Sequence, residues 1–252
     1  MSNCADPVGV FDSGVGGIST LGEMRRVLPS ETFIYYGDTA NAPYGTKSTA
    51  EVIRCVRDVV AELQRESIKA LVIACNTATG AAAATLRAEL DIPVIGMEPA
   101  LKPASEIRHG GSILVMATPL TLRQEKFNHL MSLYGEGAVK VPCEGLMELV
   151  EGERWEEARE YLRQLLTRFD PKKVDAAVLG CTHYVFLKDM LRELLPGHVQ
   201  IMDGNAGTAR QLKRVLAQRD ILREDGGGEI IFRTSGDEKT VLPLMERMLE
   251  RT

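Results

Sequence analysis

The chain has 252 residues, 44% of them hydrophobic, which is enough for one large globular domain or two small ones. Its formal net charge is −5, and its Lys and Arg residues alternate with Asp and Glu, which argues against nucleic acid as the main ligand. The first residues lack the basic segment and apolar core of a signal peptide, and no apolar run approaches the roughly 18 residues of a membrane span. We therefore expect a cytoplasmic protein that binds neither nucleic acid nor membrane.

Apolar runs typical of strands alternate with amphipathic helical stretches along most of the chain, which indicates βαβ units and mainly parallel sheets. The best-marked helix follows Ser48, where Ser48 and Glu51 form a capping box, and it is predicted to run to Gln64. Its predicted inward side chains are Val52, Cys55, Val56, Val59 and Leu63. The predicted strands are 8–12, 33–37, 71–75, 94–96, 113–117, 139–141, 177–181, 199–202 and 230–234.

The first predicted strand ends at Asp12 and leads into the segment DSGVGG, residues 12–17. Its glycines would allow a phosphate to approach the backbone, but the GxGxxG spacing and the P-loop Lys are missing, so a phosphate site is disfavoured. Asp12 and Ser13 at a strand end favour a ligand site, because open α/β sheets bind ligands there. The polar loop 35–48 fits a binding loop and a set of simple turns equally well.

Cys75 and Cys181 each close an apolar run and are followed by polar residues. They lie 181 − 75 = 106 residues apart, and the same offset, 118 − 12 = 106, separates Asp12 from Thr118. This offset predicts an internal repeat. We expect an α/β fold of two pseudo-symmetric lobes, each with a mainly parallel sheet flanked by helices, and an active site in the cleft between them.

The offset also predicts where one lobe ends and the next begins. Residues 1–97 would form lobe 1 and residues 98–207 lobe 2, with the boundary in a segment that Pro99 and Pro103 interrupt. Residues 208–252 would return to lobe 1 and complete its sheet.

Two thiols facing each other across a cleft suit proton transfer at both faces of one substrate. The reference pKa of a thiol, about 8.5, is close enough to neutrality for local charges to produce a thiolate. His183 lies two residues after Cys181, and imidazole is well suited to proton transfer at neutral pH. Cys4, Cys55 and Cys143 are interpreted as ordinary free thiols, since the spacing of the five cysteines matches no zinc site.

Five segments, in this order and spacing, resemble the bacterial glutamate racemases of the cofactor-independent aspartate/glutamate racemase superfamily: FDSGVGG, GDTANAPYG, ACNTAT, GMEPA and GCTHY. The resemblance covers essentially the whole chain, and the pair ACNTAT and GCTHY is highly specific. It implies a homodimeric enzyme that interconverts L- and D-glutamate without PLP, metal or nucleotide. It also implies that the product serves synthesis of peptidoglycan in the cell wall.

Carried over by motif, the resemblance implies that Cys75 and Cys181 exchange the α-proton of a buried glutamate. It implies that Asp12 assists Cys75 and that His183, with an acidic residue of the second lobe, assists Cys181. The implied substrate contacts are Asp12, Ser13, Tyr44, Gly45, Asn76, Thr77, Thr118, Thr121, Thr182 and His183.

The acidic residue is expected at Glu151, eight positions after Cys143. This stretch departs from the apolar, Pro-containing pattern of the family, so Glu144 and Glu148 remain alternatives. An aspartate or hydantoin racemase of the same superfamily is the nearest alternative activity. A non-catalytic amino-acid-binding protein is an alternative from a different class, whereas thiol–disulfide exchange is disfavoured because the chain has no CxxC motif.

Overall fold

The computed structural model describes residues 3–252, in which parallel strands alternate with helices. The strands are β1 Val8–Asp12, β2 Phe33–Gly37, β3 Ala70–Ile73, β4 Val94–Gly96, β5 Ser112–Ala117, β6 Ala138–Pro142, β7 Val174–Leu179, β8 Gln200–Asp203 and β9 Ile230–Thr234. The α-helices are α1 Ile18–Val27, α2 Thr49–Arg65, α3 Asn76–Glu89, α4 Leu101–Glu106, α5 Pro119–Arg123, α6 Glu125–Tyr134, α7 Leu146–Glu151, α8 Trp155–Leu166, α9 Lys188–Leu194, α10 Asn205–Gln218 and α11 Glu238–Glu250.

The strands form two parallel sheets with the same internal order. The first sheet runs β4-β3-β1-β2-β9 and the second runs β8-β7-β5-β6. Adding 106 to the residue numbers of β1, β2, β3 and β4 brings each strand onto β5, β6, β7 or β8 with an overlap of at least three residues. The predicted α/β fold of two pseudo-symmetric lobes is confirmed. The additional strand β9 pairs with β2, with Ile230 opposite Phe33.

Each sheet reverses its winding direction around its first strand, since β1 is flanked by β2 and β3, and β5 is flanked by β6 and β7. Such a reversal opens a crevice beyond the carboxyl ends of the strands, where loops diverge to opposite sides of the sheet. The polar segments that follow β1, β3, β5 and β7 therefore collect at these crevices.

The capping box of α2 is confirmed. Ser48 Oγ accepts a hydrogen bond from the Glu51 N–H, and the Glu51 carboxylate accepts one from the Ser48 N–H. The helix runs to Arg65 and buries Val52, Val56, Val59, Val60 and Leu63. Cys55, predicted to point inward, is only partly buried because it lies at the edge of the apolar stripe.

The two strands that lead to the paired cysteines end earlier than predicted. β3 ends at Ile73 and β7 at Leu179, so each cysteine lies two residues beyond its strand. Cys75 is the N-cap of α3, because its Sγ accepts a hydrogen bond from the backbone N–H of Ala78 at 3.4 Å. Cys181 precedes a short 3₁₀ helix. Hydrophobic pattern alone does not separate the last residue of a buried strand from the cap of the next helix.

Helix α1 packs against α10 and α11 and contacts the 3₁₀ helix that follows Cys181. Leu21 and Met24 of α1 belong to one apolar cluster with Leu212 and Met245. Thr20 donates a hydrogen bond to Asn205 Oδ1 at 2.8 Å within this interface. Among residues 3–252, no helix combines the length and the hydrophobicity that a membrane crossing requires.

Candidate active site

The loops beyond the two sheets enclose a small cavity. Cys75 and Cys181 both contribute to its wall, and they are 6% and 7% exposed. The cavity thus receives one thiol from the segment after β3 and one from the segment after β7. The residues that line it are Ser13, Gly45, Cys75, Asn76, Thr77, Thr118, Met147, Gly180, Cys181, Thr182 and His183.

On the first side of the cavity, a thiol, a hydroxyl and a carboxylate form a chain. Cys75 Sγ donates to Ser13 Oγ at 3.6 Å, and Ser13 Oγ lies 3.5 Å from Asp12 Oδ1, to which it donates. Burial raises the pKa of Cys75 to about 12, and the negative charge of Asp12 adds to the rise. The Cys75 thiol is therefore protonated at neutral pH when the cavity holds no ligand.

Asp12 is completely buried and connects the two lobes. Its Oδ1 accepts from the Gly14 N–H at 2.9 Å, and its Oδ2 accepts from the Thr182 hydroxyl at 3.0 Å. Burial raises the pKa of Asp12, while the neighbouring His183 opposes part of that rise. A carboxylate at the end of β1 is thus held by a residue that follows β7.

On the second side, the chain runs from a thiol through an imidazole to a carboxylate. Cys181 Sγ lies 3.7 Å from His183 Nδ1, and His183 Nε2 lies 2.8 Å from Glu151 Oε1. Burial alone would lower the pKa of His183, but its hydrogen bonds with Cys181 and Glu151 raise that pKa well above its ordinary value. Burial would raise the pKa of Glu151, but its hydrogen bond with His183 lowers it overall. An imidazolium–carboxylate pair therefore lies beside Cys181 at neutral pH.

Glu151 differs from the two alternative acids in its position. It closes α7, contacts His183 and accepts a hydrogen bond from the Val15 N–H at 3.1 Å. Glu144 and Glu148 have exposed side chains. This geometry favours Glu151 as the acid of the second side.

The glycines of the 12–17 segment make room for these second-lobe side chains. A Cβ on Gly14 would lie 2.0 Å from Glu151 Oε1, and a Cβ on Gly16 would lie 2.4 Å from His183 Nδ1. A side chain at either position would push the imidazole or the carboxylate out of place. The glycines serve this close approach between the lobes.

Three threonine hydroxyls form a triangle where the lobes meet. The Oγ1 atoms of Thr77, Thr118 and Thr121 lie 2.9 to 3.1 Å from one another. Nearby, Asn76 Nδ2 donates to Met97 Sδ at 3.3 Å, whereas the buried Asn76 Oδ1 has no hydrogen-bond partner within residues 3–252. Buried polar atoms normally have a partner, so this oxygen is available to a ligand.

Nine of the predicted site residues line the cavity, while Asp12, Tyr44, Thr121 and Glu151 lie behind the wall. Tyr44 donates to Asp38 Oδ2 at 2.5 Å, so its phenol holds the loop that carries Gly45. Sequence reasoning missed Met147 and Gly180. Gly180 immediately precedes Cys181, and Met147 lies four residues before Glu151, the spacing that puts two side chains on one face of a helix.

Comparisons with known proteins identify the family. Residues 20–212 match the model of the Asp/Glu/hydantoin racemase family. The glutamate racemase of Clostridium botulinum (strain Kyoto / Type A2) is 45% identical over 247 residues, which are 96% of each chain. The Thermus thermophilus glutamate racemase in complex with β-chloro-D-alanine aligns with a TM-score of 0.81 at 35% identity, over 99% of this chain and 95% of that one.

The glutamate racemase of Francisella tularensis in complex with D-glutamate aligns with a TM-score of 0.83 at 26% identity, over 98% of this chain and 94% of that one. These likenesses confirm the resemblance seen in the sequence motifs and the assignment to the racemases, a class of isomerases. The chain is therefore a member of the Asp/Glu/hydantoin racemase family.

Proposed function

We propose that the protein is a glutamate racemase in which Cys75 and Cys181 move the α-proton between the two faces of the substrate. The observation that carries this proposal is that a thiol from each lobe lines one small buried cavity. The similar proteins from Clostridium botulinum and Thermus thermophilus are glutamate racemases, and the one from Francisella tularensis was solved with D-glutamate.

The chemistry of the cavity wall suits a glutamate, which carries two carboxylates and an ammonium group. The wall presents hydroxyl and amide groups as donors. α3 begins in the wall at Asn76, so the backbone N–H groups of Asn76 and Thr77 and the positive end of the helix dipole are available to a carboxylate. The unpartnered Asn76 Oδ1 would accept from the ammonium group.

The two sides of the cavity divide the proton transfer between them. In one direction the thiolate of Cys181, held beside the positive His183, removes the α-proton, and the Cys75 thiol delivers its own proton to the opposite face. In the reverse direction the thiolate of Cys75 removes the proton and Cys181 delivers one. Asp12 assists Cys75 through Ser13, as Glu151 assists Cys181 through His183.

The costly step is formation of the carbanion at the α-carbon. Its negative charge spreads onto the adjacent substrate carboxylate, which is already negative. Donors that already point into the cavity stabilise that charge without rearrangement. Asn76 and Thr77, together with the first amides of α3, supply these donors, whereas the Thr182 hydroxyl already donates to Asp12. The two-thiol reaction therefore draws on groups from both lobes.

The lobes in this proposal are residues 1–97 together with 208–252, and residues 98–207. Support comes from β9, which lies beyond residue 208 and pairs with β2 of the first sheet. We further propose that the enzyme is a cytoplasmic homodimer and that its D-glutamate is used for peptidoglycan, as the family resemblance implies. Light scattering on the purified protein tests the dimer, and rescue of a bacterium that needs external D-glutamate tests the pathway.

A racemisation assay tests the proposed activity. The purified protein, in buffer free of PLP, is incubated separately with L-glutamate, L-aspartate and a 5-substituted hydantoin, and optical activity is followed. We expect the optical activity of L-glutamate alone to decay toward zero. Racemisation of aspartate or the hydantoin in its place would assign a different substrate, and binding of glutamate without racemisation would indicate a binding protein.

A further inference from the structure

Gln124 joins the second lobe to the helix that carries the first thiol. It lies at the junction of α5 and α6, where its N–H bonds to the carbonyls of Leu120 and Thr121. Its side chain is nearly buried and donates from Nε2 to the backbone carbonyl of Thr77 at 2.8 Å. Thr77 lies in the first turn of α3, two residues after Cys75.

Gly80 provides the space that Gln124 occupies. A Cβ built on Gly80 would lie 1.8 Å from Gln124 Oε1 and 2.5 Å from its Cδ. Gly80 is in the interior of α3, where glycine is unfavourable compared with alanine. The contact thus explains a residue that the helix alone would disfavour.

We propose that Gln124 is a positioning residue that fixes the start of α3 against the second lobe and so sets the separation of Cys75 from Cys181. This inference rests on the proposed two-thiol racemisation. The Thr77–Thr118–Thr121 hydroxyl triangle lies at the same junction, but it joins side chains to one another, whereas Gln124 bonds to the backbone of α3.

Proton transfer depends steeply on the distance between the reacting groups, whereas binding of the substrate by many donors depends on it less. A displacement of about 1 Å at a reacting group lowers the rate by about a hundredfold. Loss of the Gln124 contact should therefore lower kcat, with KM changed by less. A residue that merely stabilised the fold would lower Tm and leave kcat per folded molecule unchanged.

The test compares Gly80→Ala, Gln124→Ala and the double variant with wild type in glutamate racemisation and in thermal unfolding. We expect each single variant to lower kcat by about ten- to hundredfold, with KM changed by no more than about threefold. We expect the double variant to be no slower than Gln124→Ala, because the added methyl group then has nothing to displace. In the Gln124→Ala background, Gly80→Ala should raise Tm, because only the gain in helix propensity remains. In the wild-type background, the clash with Gln124 should make the rise in Tm smaller or turn it into a fall.

Gly207→Ala is the matched control, since Gly207 lies in α10 and a Cβ there meets no atom within 4 Å. It should raise Tm and leave kcat unchanged. A Gln124→Ala enzyme with wild-type kcat, or additive effects of the two substitutions on kcat, would overturn the positioning role. A wild-type protein that does not racemise glutamate would contradict the proposed function instead. The Tm values of the four proteins would still test the contact between Gly80 and Gln124, and additive shifts in Tm would count against that contact.

Discussion

The two sides of the cavity have the same backbone plan but different charged neighbours. Cys75 follows β3 and Cys181 follows β7, the strands that pair with the central strands β1 and β5, at equivalent positions 106 residues apart. Behind Cys75 lie the Ser13 hydroxyl and the buried carboxylate of Asp12. Burial and the Asp12 charge raise the pKa of Cys75, whereas the hydrogen bond to Ser13 lowers it. Behind Cys181 lie a positive imidazole and its carboxylate partner, His183 and Glu151.

In the proposed reaction, this difference would let a symmetric pair of thiols take an acid and a base role in the same turnover. Symmetry of the backbone would place one thiol on each face of the substrate. Burial and the Asp12 charge raise the pKa of Cys75, whereas the imidazolium of His183 lies beside Cys181. In this proposal the repeat supplies the geometry, and the different neighbours of the two thiols supply the difference in their electrostatic surroundings.

The largest effect should follow from removing either thiol. Cys75→Ala and Cys181→Ala should each lower the rate of racemisation by at least about a thousandfold, because each variant removes the proton-transfer group from one face of the substrate. Chiral chromatography of the glutamate enantiomers measures the rate. Cys55→Ala, at a partly exposed thiol on α2, is the control and should remain near wild type. Normal racemisation by Cys75→Ala would contradict the two-thiol assignment.

A smaller effect, of about ten- to a hundredfold, is expected for Glu151→Gln. Without the carboxylate, the pKa of His183 should fall, so the imidazolium beside Cys181 should be lost at a lower pH than in wild type. The half-reaction in which Cys181 removes the proton should slow more than the other, and its alkaline limb should move to lower pH. Single-turnover proton exchange with each enantiomer measures this difference, with the exposed Glu148→Gln on the same helix as the control. Equal slowing of both half-reactions would argue against the assignment.

The ion pair between His183 and Glu151 should stabilise the fold within a limited pH range. The lowered pKa of Glu151 gives stability that is full above its ordinary value of 4.5 and is lost as pH falls through the folded pKa. The raised pKa of His183 gives stability that is full below 6.5 and is lost as pH rises through the folded pKa. In urea unfolding, the free energy of unfolding of Glu151→Gln should be lower than that of wild type by about 2 kcal/mol between pH 4.5 and 6.5, and the difference should be smaller at lower and at higher pH. A difference independent of pH would rule out this coupling.

The smallest effect on turnover is expected for Cys143→Ala. Cys143 is buried, and burial raises its pKa to about 12, so it is a protonated thiol that serves packing. The substitution should cost about 1 kcal/mol of stability through the small cavity it leaves, with kcat close to wild type. A folded Cys143→Ala enzyme that had lost racemisation would give this third thiol a direct role.

Much of the fold could be predicted from local pattern. Apolar runs located the strands, and Ser48 with Glu51 marked the start of α2. The ends of β3 and β7 could not be predicted, because whether Cys75 continues a strand or caps α3 depends on its bond to Ala78 and not on hydrophobicity. The offset of 106 residues indicated the repeat because equivalent strand ends carried chemically unusual residues.

The site was predicted less completely, because its contacts join residues that are far apart in sequence. The Thr182 to Asp12 hydrogen bond spans 170 positions, and no local signal reveals it. The choice among the three acids required the rotation of α7, which brings Glu151 to His183 and leaves Glu148 exposed. Gly14 and Gly16 fit a simple turn in the sequence, and only the close approach of the second lobe explains them.

The origin of the hydrogen on newly formed product tests the two-thiol reaction most directly. L-glutamate is incubated with the enzyme in deuterated water, and the enantiomers are separated at low conversion and examined by mass spectrometry. Because the thiol that removes the proton is not the thiol that delivers one, the earliest D-glutamate should carry deuterium at the α-carbon while the remaining L-glutamate stays protiated. Substantial protium in the earliest D-glutamate would show that one group both removes and returns the proton, and would contradict the roles assigned to Cys75 and Cys181.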